Sequence, residues 1–178
     1  CAVVPAFAAE QVTIDNFRRV ETDHYFKTYV DKGCFGKLCN DRSPPPVDKQ
    51  DVIRMNRDTP YTAGIFDLTT PVTIVKPDTG KRFQSMLVID EDQYNPLVAY
   101  KPGTYTLTQE NMGTRYVAVL FRTFMDPNDP ADVKAAHAVQ DAIQVIQPPW
   151  PPAASSVRAC SSPASQPAPT ASTTGAHA

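Results

Sequence analysis

Short stretches of alternating apolar and polar residues fill the middle of this chain, and each is bounded by proline, glycine or acidic turn residues. Period-two alternation over so few residues predicts half-buried β-strands, here at 52–57, 61–68, 72–76, 83–90, 97–101, 104–108 and 115–124. Pro77-Asp78-Thr79-Gly80 and Pro102-Gly103 combine a residue that fixes φ with one that permits a positive φ, so both are expected to close hairpins. Seven short strands with such turns predict an antiparallel β-sandwich or a barrel-like domain.

Helical spacing flanks this region on both sides. Thr13 is placed to cap a helix reaching about residue 30, with Ile14, Phe17, Val20 and Tyr25 near one face. At the other end Asp129-Pro130-Ala131-Asp132 supplies a cap, a first-turn proline and an acidic third residue. Val133, Ala136, Val139, Ile143 and Ile146 follow at helical spacing up to Gln147. The fold class read from the pattern is therefore mainly β with flanking helices (α+β). Between the first helix and the strands, Gly33, Gly36 and Pro44-Pro45-Pro46 mark an irregular connection.

Composition bounds the rest. The chain has 178 residues, and 11–147 suits one domain with one core. Its formal charge is -2 with both signs interspersed, which argues against nucleic acid and against a polybasic membrane contact as partners. No apolar run approaches the roughly 18 residues of a transmembrane segment. Residues 1–9 are apolar and end in Ala6-Phe7-Ala8-Ala9, an A-x-A pattern that reads as the remnant of an export signal, so the expected location is periplasmic or secreted. The alternative is a mature chain whose Cys1 is lipidated. From 148 to 178 the chain is almost entirely Pro, Ala, Ser and Thr, including the sole tryptophan, Trp150, and reads as a disordered tail, either a linker or stalk or an aberrant terminus.

The densest candidate chemistry is Arg54-Met55-Asn56-Arg57-Asp58-Thr59-Pro60-Tyr61. Strand alternation would place Arg54, Asn56 and Asp58 on one face and Arg57 on the other. The cluster reads either as a structural Arg to Asp network or as a binding site. In the second reading Arg54 or Arg57 clamps a small anionic or polar ligand bidentately, and Tyr61 donates a hydroxyl. Asp90-Glu91-Asp92 lacks the ligand spacing of a calcium loop and reads as an acidic, solvated turn. Glu21 and His24 share a helical face, but a di-iron bundle needs partners on other helices, so no metal and no cofactor are expected. Cys34 and Cys39, with four residues between them, form a disulfide or remain two free thiols.

Several motif pieces in fixed order resemble one bacterial family. They are VTIDNFRRVETDHYF, CFGK, VIRMNRDTPYTAGIFDL, PVTIVKPDTGKRFQSMLVIDEDQY, GTYTLT, GTRYVAVLFRT and DPNDPADVKAAHAVQDAI. Over about 11–147 the chain is similar to the domain of unknown function 1254. The resemblance implies a β-rich domain, often exported and sometimes followed by a second domain, with no established reaction. The leading expectation is a non-catalytic ligand-binding or assembly module, with a homo-oligomer as one form of assembly. The alternatives are a hydrolase with dispersed residues or an inactive truncated copy. No G-x-S-x-G elbow, phosphate-binding glycine loop or H-E-x-x-H is present to favour catalysis.

Overall fold

The structure is a computed structural model that describes residues 11–48 and 56–148. The expected signal remnant at 1–9, the tail beyond Pro148 with Trp150, and Arg54 lie outside the described residues. The elements in chain order are α1 (Phe17–Asp31), β1 (Cys39–Asn40), β2 (Tyr61–Asp67), β3 (Val72–Lys76), β4 (Gln84–Asp90), β5 (Leu97–Ala99), β6 (Gly103–Leu107), α2 (Gln109–Met112), β7 (Tyr116–Thr123), α3 (Pro130–Asp141) and β8 (Gln144–Ile146).

Two antiparallel sheets result, one ordered β1-β2-β7-β4-β5 and the other β6-β3-β8. Alternation decides which side chains turn inward. In β4 and β7 every second residue is buried, so Met86 and Val88 lie beside Val117, Val119 and Phe121. Val72, Ile74 and Leu107 of the small sheet meet them in one cluster that also takes in Phe66, Leu68 and Met112. The domain is thus a sandwich with helices added, mainly β as the alternation predicts. Burying such side chains is the dominant favourable contribution to folding, at roughly 25 cal/mol per Å² of apolar surface.

The pairing of strands departs from the expectation. Neither Pro/Gly turn closes a hairpin, because β3 and β4 belong to different sheets, as do β5 and β6. A turn sets direction locally, while the partner is chosen by which faces can be buried together. In the segment expected to be a strand at 52–57, Asn56 is irregular and residues 57–59 are bends, and the remainder lies outside the described residues. The C-terminal helix stops at Asp141, so Ile143 and Ile146 are not on it. Residues Gln144–Ile146 instead add a strand beside β3, with Val145 opposite Ile74. Val145 and Ile143 pack on the core there, a burial the helix would have denied them.

The N-terminal helix is present but turned. Ile14, Phe17 and Tyr25 are exposed, and the buried residues are Thr22 and Phe26. Thr13 does exchange hydrogen bonds with Asn16, but in the turn before the helix. The helix stays on the body through its ends more than through an apolar stripe. At its C-terminal end Gly33 and Gly36 adopt positive φ, and Cys34 and Cys39 are joined by a disulfide with S–S 2.11 Å. The chain then runs hard against β2, where Gly36 N–H donates to Ile65 O and Ile65 N–H donates to Cys34 O.

Candidate functional site

The acidic turn builds one end of the site. Asp90 and Glu91 are buried, and all three carboxylates hold structure, so the turn is not a solvated one. Asp90 Oδ1 accepts the N–H groups of Asp92 and Tyr94, both at 2.8 Å, and Glu91 Oε2 accepts Tyr116 N–H at 3.0 Å. This forces Gln93 into the left-handed region at φ 63°, which a residue with a β-carbon adopts only at a cost. Asp92 reaches across to α1, where Arg19 Nη2 donates to it at 2.8 Å and Arg18 Nη2 at 3.3 Å. The Arg18 guanidinium also lies over the Tyr94 ring, 5.4 Å from its centre.

Held at this end by Asp92 and at the other by the disulfide loop, α1 spans the outer face of the large sheet and encloses a crevice of about 430 Å³. Its roof is Thr22, Tyr25, Phe26 and Tyr29 of α1. Its floor is Ala63, Ile65, Ile89, Ala118 and Leu120, the outward-facing residues of β2, β4 and β7. Ala118 stands between Ile65 and Ile89 in register, and its small side chain leaves the depth of the floor open. Gln93 and Asn95 lie at the rim.

A second recess of about 570 Å³ is more polar, lined by Lys32, Asn40, Asp41, Arg42, Ser43, the three prolines 44–46, Pro60 and Tyr61. Its arginine is already engaged. Arg42 Nη1 donates to His137 O at 3.1 Å and to Gln140 Oε1 at 3.2 Å, and Nη2 pairs with Asp141. His137 Nε2 is 2.7 Å from Arg42 O, which ties the end of α3 to this segment.

Of the residues singled out from the sequence, Asn56, Arg57, Asp58 and Tyr61 are described. Asn56 Oδ1 accepts Asp58 N–H, Thr59 N–H and the Thr59 hydroxyl, a turn that accounts for the bends at 57–59. Arg57 and Asp58 are exposed, and Asp58 supplies its carbonyl to Met125 N–H. Tyr61, with Pro60, lines the second recess, and Arg122 lies over the Tyr61 ring at 5.8 Å. Arg122 also donates to the buried Thr59 hydroxyl, a partner that strand spacing alone did not reveal. Elsewhere Asp67 is buried. Burial pushes its pKa up, but Arg115, donating twice to Oδ2 at 2.9 and 2.7 Å, and the Thr69 hydroxyl and N–H hold it below the ordinary value. Among the described residues no group of three or more His, Cys, Asp or Glu is placed to hold a metal ion. No helix among them is long and apolar enough to cross a membrane.

A comparison with curated proteins finds no match. Among solved structures the chain resembles the VPA0106 protein from Vibrio parahaemolyticus at 16% identity with a TM-score of 0.56. The likeness covers 74% of this chain and 36% of that one, so it spans about a third of the longer protein and speaks to the fold alone. The family model described as a protein of unknown function, DUF1254, matches residues 35–147, and the chain belongs to that family.

Proposed function

We propose that this domain is a non-catalytic binding module of an exported protein and that its ligand lies in the crevice beneath α1. The crevice carries the reading. Its volume falls in the ~300–1,000 Å³ range of small-molecule sites, and its walls are mostly apolar with a few polar groups at one end. The strained Gln93 at the rim is held in place by a buried carboxylate, an investment found where side-chain position matters. A non-catalytic role is supported by the two histidines of the domain. His24 is exposed and edge-on to Tyr25, and His137 is bound to a carbonyl. Export is supported by the Ala6-Phe7-Ala8-Ala9 pattern and by the Cys34–Cys39 bridge, since such bonds persist where thiols oxidise.

Titrating the full chain with the uncharged apolar fluorophore Nile red tests this. A saturable rise in emission is expected, and Ala118→Phe, which fills the floor, should abolish it while leaving thermal unfolding cooperative. Binding that does not saturate, or that survives in a folded Ala118→Phe variant, would sink the proposal.

One observation favours assembly as a second reading. At the strand ends of the same sheet Phe83, Tyr100 and Phe124, flanking β4, β5 and β7, are exposed, with the first two rings 6.2 Å apart. Phe124→Asp should then convert an oligomer to a monomer in sedimentation. A wild-type monomer at high concentration would exclude this reading.

A further inference from the structure

We infer that the ligand of the crevice is an uncharged amphipath, with an apolar body on the floor and a neutral hydrogen-bonding end at Gln93 and Asn95. The inference rests on the crevice reading above and names the ligand class.

The charge distribution carries it. None of the residues lining the crevice is Asp, Glu, Lys, Arg or His. At the rim Arg18 and Arg19 are engaged with Asp92, and Arg19 with Glu91 at 3.4 Å, while Glu21, Asp23, His24 and Lys27, which flank the roof residues along α1, do not line the crevice. A carboxylate or an ammonium entering here would shed hydration and meet no counter-charge, whereas an apolar body gains from the floor. Of the small anionic or polar ligands expected from the Arg54 to Tyr61 cluster, this disfavours the anionic ones.

The polar end follows from which groups are free to bind. The Thr22 hydroxyl already donates to Arg18 O at 2.9 Å. Among the described residues the Gln93 side chain makes one long bond, from Nε2 to Arg18 O at 3.4 Å, and Asn95 is exposed at the rim. Carboxamides both donate and accept, which suits a hydroxyl, ester or amide and gives no preference to an ion. Because the Asp90 carboxylate fixes the turn, Gln93 is held in position before anything binds.

Displacement of Nile red from the full chain by three probes of equal chain length tests the class: decanol, decanoate at a pH where it is ionised, and decylamine where it is protonated. Decanol should displace at concentrations at least about tenfold lower than either ion. In Asn95→Lys, decanoate should improve about tenfold relative to decanol. Displacement by decanoate or decylammonium as good as by decanol, with Ala118→Phe still blocking Nile red, would overturn the ligand class and leave the crevice standing. Failure of all three to displace bound Nile red would also overturn it. Absence of saturable Nile red binding would remove the crevice and this inference together.

Discussion

Arg82 Nη1 donates to Asp132 Oδ2 at 3.0 Å, which joins the connection between the two sheets to the first turn of α3. Arg82 belongs to the GKRF piece of the chain and Asp132 to the DPNDPAD piece, 50 residues apart. Asp132 also accepts Asp126 N–H at 2.8 Å, so one carboxylate closes the loop before α3 and anchors the helix. Arg19 with Asp92 and Arg115 with Asp67 repeat the arrangement between other separated pieces. Sequence pieces that are weak individually prove to be partners in space.

The acid limb of the stability curve should report Asp132. The Arg82 guanidinium, and next the Asp126 N–H, lower its pKa from the ordinary 3.8 to about 2. Because the folded value is the lower one, the contribution is complete above 3.8 and is lost as pH falls towards about 2. Thermal unfolding across this range should show a shallower loss in Asp132→Asn than in wild type. Identical slopes would show that the pair does not set the acid limb.

Lys76 is a stabilising target. Its side chain is 2% exposed on the inner face of β3, and its Nζ has no hydrogen-bond partner among the described residues. Lys76→Met should raise stability by roughly 1–3 kcal/mol, since it removes a buried unsatisfied donor and keeps the volume. Burial holds the Lys76 pKa below 10.5, with Asp78 opposing. Between the folded value and 10.5 the unfolded chain binds the extra proton, so wild-type stability should rise with pH there, and the Met variant should lack that rise. A fall in melting temperature on Lys76→Met would contradict this account.

Gly64 has no room for a β-carbon. One built there would sit 2.1 Å from Lys37 O, a backbone atom that cannot swing aside. Gly64→Ala should cost roughly 1–3 kcal/mol in chemical denaturation, because the 34–37 loop must lift from β2. An unchanged midpoint would mean that this loop yields freely.

Removing the disulfide should loosen the same edge. Cys34→Ser with Cys39→Ser is expected to lower stability by about 2 kcal/mol, the modest value for so short a ring. Reduction of the wild type should match the double variant within error. A loss of folding altogether would give the bond a larger role than its ring size allows.

Asp92→Asn releases α1 from the acidic turn. Exposed pairs of this kind contribute at most about 1 kcal/mol, so global stability should barely move. Amide exchange along 17–31 should nevertheless accelerate, and added salt should bring the wild type towards the variant. Unchanged exchange in α1 would show that the clamp is not what seats it.

How much was legible beforehand varied with how local the cause was. The strand 72–76 matches residue for residue, because alternation is carried within five residues. The N-terminal helix was found but its inner face was not, since Ile14 and Phe17 look like core residues until Thr22 and Phe26 are seen to meet the sheet. The Arg54 to Tyr61 cluster suggested a site from charge density. Asn56 turns part of it into a bend, and the crevice formed instead from Ala118, Gln93 and residues of α1 that carry no charge to draw attention.

Taken alone, the amino-acid order determined six of the seven expected strand segments, from 61–68 to 115–124, and the cap at Asp129, because alternation and capping act over a few neighbours. Only the tertiary structure decided that 77–83 and 100–102 cross between sheets, that 144–146 becomes a strand, and that α1 bridges a crevice. Those outcomes depend on burial and ion pairing between residues tens of positions apart, and no local pattern records which distant face will be covered by which.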